Sequence, residues 1–150
     1  LHLNFAGGML TIYSFKITDI EKADQAFSIR NEVFVEEQKV SRDEEYDEYE
    51  EVATHYLVFN NDKAAGTCRW RITDKGIKLE RFAVRQSERN NGIGSLLVFT
   101  VLNDVRNYEK VIYLHSQVSA MRLYAKAGFE PEGDLFYEAN IPHYKMVLRG

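Results

Sequence analysis

Arg89-Asn90-Asn91-Gly92-Ile93-Gly94 leads through Ser95 into an apolar run, and that order of residue types suits the holding of an anion. The first backbone N–H groups of a helix have no partner inside the helix, and they lie at the positive end of its dipole, worth roughly +0.5 charge. Glycine keeps side chains away from those amides, so phosphate oxygens can approach; its tolerance of positive φ would serve a plain turn equally well. No Gly-Lys-Ser/Thr comes after it, and the pattern is not a clean G-x-G-x-x-G at the start of a βαβ unit. Nucleotide hydrolysis and nicotinamide binding both lose ground on that account.

Other residues have the types needed for proton transfer. His115 ends a short β-branched strand and His143 begins the last one, and either imidazole can titrate near neutrality. Glu80 stands two residues before Phe82, so strand alternation puts both side chains on one side. Arg85 and Arg89 flank the glycine loop and suit ion pairing to phosphate. Glu32 either lines a pocket or faces solvent. Trp70, Tyr46, Tyr49 and Tyr137 are candidates for a pocket wall, Trp70 being better explained as core. Cys68 shares a strand face with Trp70 and reads as a small core residue, not a nucleophile. No His/Cys/Asp group has metal-ligand spacing, so no metal is expected.

The elements that must position these residues can be read from periodicity. Residues 10 to 17 alternate as a strand, and Thr18-x-x-Glu21 has the form of a capping box. Ile20, Ala23, Phe27 and Phe34 continue at helical spacing into the low thirties. Strands over 55–59, 64–72 and 77–84 are joined by tight turns at Asn60-Asn61-Asp62-Lys63 and Asp74-Lys75-Gly76. A helix from Gly94 to near Asn107, a strand over 111–115 and a helix over 119–127 ending at Gly128 come next. Strands over 135–138 and 143–148 close the chain. The order predicts a mixed α/β fold, one sheet with helices on its faces.

The 150 residues suit a single domain, with 45% hydrophobic and 28% charged residues. Residues 1–8 differ in character from the rest of the chain and read as a tag remnant or extended start, leaving 9–150 as the domain. No apolar run nears the roughly 20 residues that cross a bilayer, and no signal-peptide pattern opens the chain. With a single cysteine, these features lead to a cytoplasmic expectation with no membrane partner. A net charge of −4 argues against nucleic acid. The acids concentrate in residues 42–51, which read either as a solvated loop or as an attractor for a cationic substrate such as an amine.

The motifs in order resemble one family. Arg89-Asn90-Asn91-Gly92-Ile93-Gly94 fits R/Q-x-x-G-x-G, the pyrophosphate loop of the GNAT superfamily of acyl-CoA N-acyltransferases. LERFAV at 79–84 resembles that family's fourth strand, and LYAKAGF at 123–129 its tyrosine-containing segment. RNEVFVEEQ at 30–38, HSQ at 115–117 and IPHYKM at 141–146 resemble the ElaA-like branch of small bacterial members. Asn90 and Asn91 depart from the glycine and basic residue frequent there, but they remove no backbone amide.

The resemblance implies a GNAT-type, mostly antiparallel sheet splayed between strands 4 and 5, with helices on both faces. It implies acetyl-CoA as cosubstrate, its pantetheine arm along Phe82, Ala83 and Val84. The pyrophosphate would sit on Arg89, Asn90, Asn91, Gly92, Ile93 and Gly94, with Ser95 and Gln117 beside it. A primary amine of a small molecule or peptide would attack the thioester directly. Tyr124 corresponds to the tyrosine that serves the CoA sulfur, and a backbone N–H near Phe82 or Ala83 to the oxyanion donor. The base stays open among Glu80, His115, His143 and water. A noncatalytic CoA-binding module is the alternative on the same fold, and exposed sheet edges leave room for a homodimer.

Overall fold

The structure is a computed structural model; it describes the backbone of residues 2–5 and 8–150 and the side chains of residues 9–150. The expectation for residues 1–8 therefore falls largely outside the described residues, although the backbone of His2–Phe5 forms a strand, β1. It pairs antiparallel with β2 (Gly8–Phe15), and every later strand number is one higher than the sequence suggests.

Helix α1 (Ile20–Arg30) begins one residue later than a Thr18 cap would require. Asp19 is the cap: its carboxylate accepts from the Lys22 amide at 3.3 Å and from Lys22 Nζ at 3.1 Å. The Thr18–Glu21 box does not form, because a carboxylate one position on already satisfies the first-turn amide. Ile20 is 71% exposed, so the buried stripe starts at Ala23. The helix continues as a π-helical segment, Asn31–Glu37, a rare geometry that recurs at functional sites.

The acidic stretch folds. Ser41 caps a short helix α2 (Arg42–Glu45), and Glu45 and Glu50 are buried. The solvated-loop reading fails for those two residues, since arginines on distant elements take up their charge.

Strands β3 (Thr54–Asn60), β4 (Lys63–Thr73) and β5 (Gly76–Val84) form the expected antiparallel run. Helix α3 (Ile93–Val105), strand β6 (Ile112–Gln117) and a short helix α4 (Met121–Ala125) come after them. Strand β7 (Phe129–Glu138) starts well before the expected 135, despite Pro131. It is the outermost strand, where a missing N–H is tolerated. Strand β8 (Ile141–Leu148) pairs with both β6 and β7.

Among the described residues the sheet order is β1-β2-β3-β4-β5-β6-β8-β7. One core packs α3 and α4 on one face, with Leu97, Val101, Cys68, Trp70 and Tyr124 in it. The other packs α1 on the opposite face, with Ala26, Ile29, Leu57 and Ala83. The mixed sheet with helices on both faces is thus the fold, and Cys68 and Trp70 share the α3 face as read from their spacing.

β5 and β6 form the one parallel pair among the described residues, over Ile77–Leu79 and Ile112–Leu114. Past that point β5 stays with β4 while β6 stays with β8, so the sheet splays.

Candidate functional site

A cavity of about 1170 Å³ fills the splay between β5 and β6. Of the residues expected at a site, Glu80, Phe82, Ala83, Val84, Arg89, Asn90, Gly92, Ile93, Gly94, Ser95, His115, Gln117 and Tyr124 all line it, and Asn91 does not. Trp70, Tyr46, Tyr49 and Tyr137 are absent from its wall. Trp70 is core and donates to the Tyr56 hydroxyl, Tyr46 donates to the Phe27 carbonyl, Tyr49 lies under Arg71, and Tyr137 is exposed.

One end of the cavity is the start of α3. Gly92 caps the helix at φ +79° and Asn90 stands at +69°, a loop that turns the chain so that the first amides face outward. No side chain caps this helix and no acid lies in its first turn, which leaves the amides and the dipole uncompensated. Gly94 has a second reason to be glycine: a Cβ there would meet Leu123 Cδ2 at 3.3 Å, where α4 closes on α3. Arg89 donates to the Val84 carbonyl at 3.0 Å and grips Glu37 of the π-helical segment at 2.7 and 2.8 Å. Gln117 reaches Gln38 at 2.8 Å beside that pair. Arg85 points to the α1 face instead, onto the Ala64 carbonyl and Glu32, so neither Arg85 nor Glu32 reaches the cavity.

The middle of the cavity is set by a bulge. Arg69 stands opposite Glu80 and Thr67 opposite Ala83, so β5 carries one extra residue there, and Arg81 adopts φ +58°. The bulge resets the alternation. Leu79 and Phe82 both face the α3 side, while Glu80 joins Arg69, which also holds Glu50, itself a partner of Arg30 of α1. The expectation that Glu80 and Phe82 share a side is therefore wrong, because strict alternation assumes an unbroken ladder.

Phe82 packs edge-on against Tyr124 at 5.3 Å, and Phe129 holds the other side of the phenol at 6.2 Å. The Tyr124 hydroxyl has no hydrogen-bond partner among the described residues, and the side chain lines the cavity. Burial pushes the phenol well above its ordinary value, so it stays protonated and available as a donor.

Glu80 is held differently. Burial alone would raise its carboxyl, but the hydrogen bond from Arg71 and the charges of Arg69, Lys78 and Arg71 bring it down to about 2. Arg69 Nε lies 2.8 Å away, Arg71 3.1 Å and Lys78 3.2 Å. A carboxylate so fully paired is a poor proton acceptor at neutral pH.

Because its folded value lies below its unfolded one, the unfolded chain binds this proton first. The stability it contributes is complete above about pH 4.5 and is lost as pH falls through about 2. The loss is on the order of 3 kcal/mol for the shift to about 2. Glu45, whose carboxyl burial raises against the pull of Arg30 and Arg81, opposes part of it. Thermal melts should drop steeply below about pH 4.5, and Glu80→Gln should make that acid limb shallower, while Asp47, which burial would raise but Arg69 brings down to about 2, keeps part of it. An unchanged limb in the variant would show that Glu80 is not its source.

The far end of the cavity brings together residues that the sequence left apart. His115 Nδ1 lies 2.7 Å from Glu138 Oε1, and His143 Nε2 lies 3.9 Å from Glu138 Oε2. Phe136 stacks on His143 at 5.8 Å and meets His115 edge-on at 5.0 Å. Burial disfavours charge on Glu138, yet the hydrogen bond from His115 and the charges of His115, Lys78 and His143 keep its carboxyl below the ordinary range. Glu138 had no signal in the sequence. It meets His115 across the intervening β8, from the end of β7 where the chain enters a turn with Ala139 and Asn140 at φ +49° and +63°.

Among the described residues no group of acids, histidines and cysteine is placed to hold a metal ion. No helix among them is long and apolar enough to cross a membrane.

Comparison with known proteins places this architecture. The chain is 35% identical over 129 residues to a Bacillus subtilis protein described as the uncharacterized N-acetyltransferase YjcF, covering 85% of this chain and 92% of that one. Its fold is similar to that of Escherichia coli ElaA, with a TM-score of 0.84 at 21% identity over 94% of this chain and 100% of the other. An acyl-CoA N-acyltransferase from Pseudomonas aeruginosa gives a TM-score of 0.83 at 21% identity, covering 93% and 99%. A Bacillus subtilis acetyltransferase solved in complex with CoA gives 0.69 at 19%, covering 93% and 97%. Matched to the acetyltransferase (GNAT) domain over residues 18–149, this chain belongs to the GNAT acetyltransferase family.

Proposed function

We propose that the protein transfers an acetyl group from acetyl-CoA to a primary amine by direct attack. The observation that carries this reading is the continuity of one cleft. It runs from the uncapped amides of α3, past the bulged edge of β5, to the unpartnered phenol of Tyr124 and on to the His115–Glu138 pair.

The cofactor's pyrophosphate would take the amides of Gly92, Ile93, Gly94 and Ser95, with Arg89 exchanging Glu37 for phosphate and Asn90, Asn91 and Gln117 at the rim. The pantetheine arm would run along Phe82, Ala83 and Val84, where β5 has lost its parallel neighbour and offers backbone groups for pairing. The bulge supports an amide at Phe82 or Ala83 as oxyanion donor, since a bulge leaves ladder groups unpaired.

In the reaction, the amine nitrogen bonds to the thioester carbon and the C–S bond breaks. His115, oriented by Glu138, takes the amine proton, and Tyr124 hydrogen-bonds or protonates the departing thiolate. Burial that raises the phenol also raises the thiolate's proton affinity, so the transfer is less uphill than ordinary values imply. His115 is preferred to Glu80 as base because Glu80 has three cations on its carboxylate. A cationic acceptor would meet Glu44 and the outer side of Glu138, two of the cavity acids not held by arginine.

Thermal melting with coenzyme A, followed by thiol release from acetyl-CoA across polyamines, amino sugars, aminoacyl and peptide amines, tests this reading. Coenzyme A at 100 times its Kd should raise Tm by about 5–10 °C. No shift overturns the cofactor assignment, and a shift without thiol release on any amine leaves a binding module instead of an enzyme.

A further inference from the structure

The acidic segment that the sequence offers as a substrate attractor is largely occupied within the protein. Asp47 holds Arg69 through both oxygens, at 2.7 and 2.9 Å, and Glu45 takes Arg30 Nε at 2.7 Å. The segment also holds Arg81, the non-glycine residue at φ +58° inside β5. Arg81 Nε donates to the Glu45 carbonyl at 3.2 Å and stands 3.3 Å from Glu45 Oε2. Its Nη2 reaches the Glu44 carbonyl at 3.4 Å and Asp47 Oδ2 at 3.2 Å.

We propose that Arg81, clamped by residues 44–47, is a positioning residue that keeps the β5 bulge in place and thereby aims the cleft-facing backbone of Phe82 and Ala83. A bulky residue in the left-handed region persists only where its surroundings over-determine it. Here the anchors come from two other elements, α1 through Arg30 and β4 through Arg69, so the bulge is tied to the body of the protein from outside its own strand. The alternative backbone is plain. Without the bulge, ordinary alternation would put Phe82 on the face of Glu80 and Ala83 on the face of Leu79. Phe82 would leave Tyr124, and the amides at the bulge would turn away from the cleft. The clamp is thus a device for register, and its charges serve the geometry of the acyl-transfer site.

This inference rests on the proposed acetyl transfer for its catalytic consequence but not for its structural one. Arg81→Gly adopts the positive φ without steric cost, so it removes the clamp while relieving the backbone. Asp47→Asn weakens the clamp from the other side and leaves Arg81 in place. Three readouts are compared with the unaltered protein: amide hydrogen exchange at residues 81–83, coenzyme A affinity by calorimetry, and thiol release from acetyl-CoA with the amine panel.

Both variants should exchange faster at 81–83. Turnover should fall by about 10²-fold, the cost of a misplacement near 1 Å. Coenzyme A affinity should fall far less than turnover, because the Arg89–Gly94 loop is untouched and only the arm's contacts along Phe82 and Ala83 shift. Unchanged exchange in both variants overturns the clamp, and faster exchange with full turnover overturns the positioning role. If the unaltered protein binds no coenzyme A, the functional reading fails while the exchange rates still decide the clamp. Should Arg81→Gly fail to fold, Asp47→Asn decides alone.

Discussion

Tyr124→Phe should lower thiol release from acetyl-CoA by about 10²–10⁴-fold, the usual worth of a positioned proton donor. Affinity for coenzyme A should be retained. The phenyl ring keeps its contacts with Phe82 and Phe129, and the lost hydroxyl has no partner among the described residues to orphan. Stability should therefore stay close to that of the parent, which separates this variant from a general packing defect. The measurement is kcat and KM with one productive amine, beside a calorimetric Kd for coenzyme A. Full kcat would remove Tyr124 from the chemistry and leave the thiolate to solvent.

The largest stability effect should come from Arg69→Met. Arg69 is 0% exposed and its guanidinium meets Asp47, Glu50 and Glu80 at 2.7 to 2.8 Å. Methionine approximates the stem but leaves carboxylates from two elements without their shared cation. Removing one partner of a buried ion pair costs about 3–5 kcal/mol. For a chain of this size that corresponds to a fall in Tm of about 10–15 °C. Urea denaturation at pH 7 would measure it. A loss under about 1 kcal/mol would mean that water enters and solvates the acids, and that the network is looser than its distances indicate.

The same network shows where reading from the chain alone stops. Arg30, Glu45, Glu50, Arg69 and Glu80 each look like ordinary surface residues, because nothing local distinguishes a buried charge from a solvated one. Their burial depends on four separate elements meeting at one place. Base choice suffers likewise. Glu80 looked suitable by spacing, and only the register of β4 on β5 reveals the cations around it. Glu138 had no recognisable pattern, yet it is the carboxylate that meets His115.

What the amino-acid order determined by itself is the part whose physics is local. The alternation of β3 to β5, the apolar face of α3, and glycines at a helix start all depend on neighbours within a few residues. So does the expectation of an anion cradle, and the order of motifs was enough to point to the family. The bulge at Arg81, the facing of Glu80, and the His115–Glu138 pair were decided by tertiary structure. Each arises from pairing between strands, where one extra residue reverses every later side chain. In the chain this reversal shows only as a slip of the apolar alternation, from Ile77 and Leu79 to Phe82 and Val84, which does not by itself say where the extra residue is held. It takes the acidic segment, docked from another part of the chain, to hold it.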